Sequence, residues 1–158
     1  MSSERAALVI GAGDGETTSS PLGGDVRFVV RGSDSGGALT ALEVANPPGQ
    51  GPPLHVHTGQ DETIHVLDGE LRWRLGDELR STGPGAYVFI PRGLPHCFQV
   101  MGERPGRMLI TFAPAGMEAF FERLSAMTEF DAAEFRAAAE ENGMGIVGPP
   151  LAESHPVA

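Results

Sequence analysis

The chain has 158 residues, with 11 basic and 21 acidic side chains, a formal charge of −10, and arginine as its only basic residue besides histidine. That length suits a single domain around one core. The acidic balance argues against nucleic-acid or anionic-membrane binding, which needs a basic surface. One cysteine, Cys97, excludes an internal disulfide and a thiolate-only metal site, while 22 Gly and 13 Pro favour short elements joined by turns, as in an all-β or β-dominated fold.

In chain order, Ala6–Ile10 reads as an N-terminal strand. The apolar run Ala6–Ala12 is short, is broken by Gly11 and follows Glu4 and Arg5. It is therefore read as neither a signal peptide nor a membrane span, and the expected location is cytoplasmic. Residues 11–24 are small and aperiodic, as in a loop. Strands are expected at Val26–Arg31 and Ala38–Val44, followed by a connection, Asn46–Pro53, packed with Pro and Gly. Short strands then recur at His55–His57, Glu62–Leu67, Glu70–Leu75, Ala86–Ile90, His96–Val100 and Met108–Ala113, separated by turn signals such as Asp68-Gly69 and Gly83-Pro84-Gly85. Such spacing suggests a sandwich or barrel.

The period changes after residue 116. Met117, Phe120, Phe121, Leu124 and Met127 fall on one face of a helix, and Asp131 with Glu134 reads as a capping box opening a second, Ala-rich helix that stops at Gly143. The organisation expected is a barrel with N-terminal strands over 1–115, helices packed on it over 116–145, and a mobile tail over 146–158 that holds His155. The apolar helix faces are read as core packing, bordering either the cavity mouth or a dimer interface.

Histidine placement carries the chemistry. His55 and His57 stand at strand spacing i, i+2, which puts both imidazoles on one face, with Cα atoms roughly 6–7 Å apart, so both can reach one ion. Glu62 follows at an odd separation, and Thr58-Gly59-Gln60-Asp61 must turn the chain for its carboxylate to face the pair. His96 has to arrive from a neighbouring strand. By the same alternation His65 points out of the barrel, Cys97 points away from the site as a small buried hydrophobe, and Asp61 is a turn residue.

Gly49, His55-Val56-His57, Glu62 and Gly69 stand at the spacing of the first cupin motif. Gly85, Pro91-Arg92-Gly93 and His96 stand at that of the second, with Val100 where the family usually has Asn. The chain resembles a small cupin, similar to bacterial quercetinase-like proteins. The resemblance implies a double-stranded β-helix (jelly-roll) barrel with a C-terminal helical extension, holding one divalent metal on His55, His57, Glu62 and His96. Without a cation, three buried imidazoles and a carboxylate would be costly. The donor set suits Fe, Ni, Mn, Cu or Zn.

Residues at even spacing from those four describe the expected pocket: Ile64 and Val66 on the Glu62 face, Phe98 and Val100 on the His96 face, and Trp73 on an apolar face opposite Arg72 and Arg74. Cationic phosphate contacts are thus not expected inside, and an apolar or aromatic substrate fits better. The family likeness then implies a metal-dependent dioxygenase acting on a hydroxylated aromatic or enolic molecule, with Glu62 also as catalytic base. The alternatives are a Lewis-acid polyketide cyclase and a non-catalytic binding cupin. The expected partners are the small substrate and a second copy of the chain as a homodimer.

Overall fold

The computed structural model describes residues 4–22 and 24–158. Met1–Ser3 of the expected barrel segment and Gly23 of the expected loop lie outside the described residues. The chain runs β1 (Thr17–Ser19), β2 (Asp25–Val30), α1 (Gly32–Ser35), β3 (Thr40–Asn46), β4 (Pro53–His57), β5 (Asp61–Asp68) and β6 (Glu70–Leu75). It continues through β7 (Glu78–Thr82), β8 (Tyr87–Ile90), β9 (His96–Met101), β10 (Gly106–Ala113), α2 (Glu118–Ala126), α3 (Ala132–Glu141), β11 (Met144–Pro150) and α4 (Leu151–Ser154). Two antiparallel sheets form, ordered β1-β2-β3-β10-β5-β8 and β11-β4-β9-β6-β7, which makes the fold an all-β jelly roll with C-terminal helices. Among the described residues no helix is long and apolar enough to cross a membrane.

Alternation decides what faces inward. On β5 the side chains of Glu62, Ile64 and Val66 are buried, while those of Thr63 and His65 are not. On β6 Leu71 and Trp73 fill the interior, and the Trp73 indole N–H donates to Thr82 Oγ1 at 2.7 Å. That bond satisfies the one polar atom of a fully buried ring. Gly51 is required where the connection between β3 and β4 presses on β9: a Cβ there would lie 1.8 Å from the Phe98 carbonyl oxygen. The same connection bonds β9 through Gly49 N–H to Val100 O at 2.8 Å and Val100 N–H to Gln50 O at 2.9 Å.

Three expectations are corrected. Ala6–Ile10 forms no strand, and Leu8 and Val9 are exposed. Thr17–Ser19 instead pairs with β2 (Thr17↔Arg27, Ser19↔Asp25) and forms the edge of that sheet. Residues 146–158 are not a loose tail. The boundary at 145/146 falls inside β11, which pairs with β4 (Met144↔His57, Ile146↔His55, Pro150↔Pro53). Prolines are tolerated because β11 is an edge strand. Leu151 is then buried against Leu54 and Cys97, and the His155 carbonyl accepts from Arg72 Nη2. Cys97 is therefore buried although it points out of the barrel. Finally, the capping box is half formed: Asp131 accepts from the Ala133 and Glu134 N–H groups, but the Glu134 carboxylate turns to Arg123 at 3.1 Å.

Helices α2 and α3 cover one opening of the barrel through Phe120, Leu124 and Phe135, which join the main core cluster. The Phe120 and Phe135 rings meet edge to face, with centroids 5.5 Å apart.

Candidate metal centre

Register brings the three histidines together. β4 and β9 are adjacent in the five-stranded sheet, with His55 directly opposite His96, and His57 lies two residues along on the same face. Their ring centroids are 4.3 to 5.5 Å apart. Glu62 reaches them from the other sheet. Residues 58–60 do not fold β5 back beside β4 but carry the chain across the barrel, where Glu62 stands opposite Phe112 of β10. Its Oε2 lies 2.9 Å from His96 Nε2 and 3.3 Å from His57 Nε2. One potential ligand atom from each of the four residues falls within 4.8 Å of the others, and all four side chains are buried.

The tautomers follow from the backbone. A carbonyl oxygen only accepts, so His55 Nδ1, 2.8 Å from Pro53 O, and His96 Nδ1, 2.8 Å from Leu94 O, both carry a proton. With Nδ1 protonated, a neutral ring has a bare Nε2 lone pair, the orientation used by metal-ligating histidines. His57 Nδ1 is buried without a hydrogen-bond partner. Burial, with the charges of His96 and His57 adding to it, pushes the His55 pKa down to about 3. His55 is thus neutral and able to coordinate at neutral pH. Burial alone would raise the Glu62 carboxyl, but hydrogen bonds and charge from His57 and His96 outweigh it and hold the group well below the ordinary carboxylate range. Burial opposes charge on His96 as well, yet the Glu62 carboxylate raises its pKa overall. Three nitrogen donors and one anionic oxygen converging in this way fit a divalent ion of the first transition row or zinc.

The site forms part of the wall of a cavity of about 470 Å³. Six of the chain's eight phenylalanines line it: Phe98, Phe112, Phe120, Phe121, Phe130 and Phe135. Of the residues expected in the pocket, Ile64 and Phe98 stand on its wall, whereas Val66, Trp73 and Val100 do not. Those three are buried at 0%, 0% and 1% exposure in the filled end of the barrel. Strand alternation gives the face but not the depth. Along β9 the rows run from His96 through Phe98 to Val100, paired with Leu75, Trp73 and Leu71, and Trp73 packs against the Phe98 ring, centroids 5.5 Å apart, without reaching the cavity wall.

The helix stripe read from the sequence as core packing that borders a cavity mouth or a dimer interface forms an aromatic roof over the cavity, which Met117, Phe120, Phe121 and Leu124 all line. Other singled-out residues lie elsewhere. His65 is on the outer face beside Tyr87, with rings 5.7 Å apart. Asp61, the first residue of β5, binds Arg92 through its N–H at 3.0 Å and its Nε at 3.1 Å.

The family model described as "Cupin domain" matches residues 42–112, which hold all four clustered residues. Quercetin 2,3-dioxygenase of Bacillus subtilis is 31% identical over 102 residues, 64% of this chain and 30% of that protein. The match thus spans about a third of that relative's length. Among solved structures, KdgF from Halomonas sp. has a TM-score of 0.64 at 18% identity, covering 72% of this chain and 98% of that one. The polyketide cyclase RemF from Streptomyces resistomycificus has a TM-score of 0.59 at 23% identity, covering 68% and 80%. At those identities the two structures show the fold alone. Two motifs in order, a family model matching residues 42–112 and a jelly roll that brings the motif histidines and Glu62 to one point make that stretch similar to a cupin domain, and the chain similar to quercetinase-like proteins.

Proposed function

We propose that the protein is a metal-dependent dioxygenase, quercetinase-like in chemistry, that acts on a hydroxylated aromatic or enolic small molecule. One observation carries the reading: a buried cluster of His55, His57, His96 and Glu62 in the wall of a phenylalanine-lined cavity of about 470 Å³. An ion held by these four residues supplies Lewis acidity, and electron-transfer capacity if it is iron, nickel, manganese or copper.

The chain's own groups do the rest. The six phenylalanines offer a planar ring faces and edges to stack on, and they keep bulk water from the reacting end. Both histidine contacts of Glu62 use Oε2, which leaves Oε1 to take the proton of an acidic substrate hydroxyl. A carboxylate takes the proton of an acidic hydroxyl, as in a flavonol, catechol or enol, more readily than that of an aliphatic alcohol. The partial likeness to a quercetin dioxygenase supports the same substrate class.

The test is oxygen consumption with flavonols, catechols and β-diketones, each offered to protein reconstituted separately with iron, nickel, manganese, copper and zinc. Turnover with at least one redox-active metal is expected, and Glu62→Gln should lower it more than it lowers metal content. If no combination exceeds the metal-free control while the zinc form cyclises a poly-β-ketone, the protein is a cyclase and the oxygenase reading is wrong.

A further inference from the structure

The cavity wall contains one arginine among the described residues, Arg136 of α3. Seven of the other arginines, at 27, 31, 80, 92, 104, 107 and 123, pair with carboxylates. Arg5, Arg72 and Arg74 bind backbone carbonyls. Arg136 has only a 3.5 Å contact from Nη1 to the Ile146 carbonyl, and no carboxylate lies within 4.0 Å of it. Glu134, the nearest acid before it on α3, is taken by Arg123. A chain of charge −10 thus leaves one planar, five-donor cation without a counterion at an apolar cavity.

The remaining charges on that wall narrow what this cation can serve. Glu62 is engaged by His57 and His96, and Asp25 accepts the Ser19 hydroxyl at 2.8 Å. Glu153 also lines the cavity. Three acids on the wall would repel a polyanion, while a single carboxylate can engage the fork of Arg136 bidentately.

We infer that Arg136 is a specificity-determining residue that anchors one carboxylate on the substrate. The substrate class is then a monoanionic aromatic or enolic acid whose ring lies against the phenylalanines. This rests on the cavity being the substrate site, as proposed above.

The probes are 2-naphthylacetate and its neutral amide, titrated calorimetrically into the protein as purified and into chelated protein. Wild type should bind the acid more tightly than the amide. Arg136→Gln should weaken the acid about 5- to 30-fold, less than a fully buried pair would lose because the guanidinium is exposed, and leave the amide within about twofold. Arg136→Lys should fall between the two, and metal content and melting temperature should not change. Equal weakening of both probes would mean a merely structural role, and no weakening of the acid would mean Arg136 does not read it. Either result overturns the inference while leaving the cavity as the binding site. Acid preference that disappears on chelation but survives Arg136→Gln places the carboxylate at the metal centre and also overturns it. If neither probe binds, the cavity is not the substrate site, and the inference falls together with the reading it rests on.

Discussion

Replacing Glu118 should loosen the aromatic roof at its anchor. Glu118 opens α2, and its Oε1 accepts the Gly32 N–H at 2.8 Å while its Oε2 accepts the Gly116 N–H at 3.1 Å and the hydroxyl of fully buried Thr40. Hydrogen bonds to a charged group contribute about 1.5–3 kcal/mol each when a buried partner would otherwise be stranded. Here the Thr40 oxygen keeps the Gly116 N–H at 3.2 Å, so the three do not add. Glu118→Ala should therefore cost about 2–4 kcal/mol, which for a domain of this size lowers the melting temperature by about 5–15 °C.

A pH arm isolates the charge. Burial would raise the Glu118 carboxyl above its ordinary value of 4.5, but the Thr40 hydroxyl and the N–H groups of Glu118, Gly32 and Gly116 outweigh it and lower the pKa. A folded value below the unfolded one means that the stabilisation is complete above about pH 4.5 and is lost as pH falls through the folded value. Urea unfolding of wild type should show stability falling below pH 4.5, and Glu118→Gln, which keeps the shape, should fall less steeply. A Glu118→Ala protein within about 0.5 kcal/mol of wild type at pH 7, or a Gln variant with the wild-type pH slope, would refute this reasoning.

Leu151→Ala should cost about 2–3 kcal/mol in urea unfolding, because Leu151 is fully buried against Leu54 and Cys97, where α4 seals the outer face of β9. A neutral effect would mean that the C-terminal segment is dispensable. Chelation should lower the melting temperature yet leave the β-sheet circular dichroism intact, since the buried residues Trp73, Leu42, Leu71 and Met108 line neither the site nor its cavity. Complete unfolding on chelation would contradict an independent core.

What could be read from the sequence, and what could not, follows from which constraints are local. Alternation places Glu62, Ile64 and Val66 on one face of β5, and the 3.6-residue stripe through Phe120, Phe121 and Leu124 marks the buried face of α2, because both periods are imposed by the backbone. Pairing is not local. Ala6–Ile10 has strand composition yet joins no sheet, while Met144–Pro150 has poor strand composition yet pairs with β4 at an edge position that tolerates its prolines. Glu78–Thr82 carries no apolar alternation to mark it, because an exposed edge strand needs none. At the site, motif spacing identified His55, His57, Glu62 and His96. Trp73 shares a row with Phe98, yet Phe98 lines the cavity and Trp73 does not, a difference in depth that pattern alone does not carry.

The most direct measurement is the metal content per chain, by elemental analysis, of wild type, His57→Ala and His65→Ala after reconstitution and exhaustive dialysis. His57 points its Nε2 into the cluster with Glu62, and His65 stacks on Tyr87 outside the barrel. The expected result is about one divalent ion per chain in wild type and His65→Ala and a sharp loss in His57→Ala. Wild type that retains no ion with any of iron, nickel, manganese, copper or zinc, or equal loss in the two variants, would contradict a metal centre built from His55, His57, Glu62 and His96.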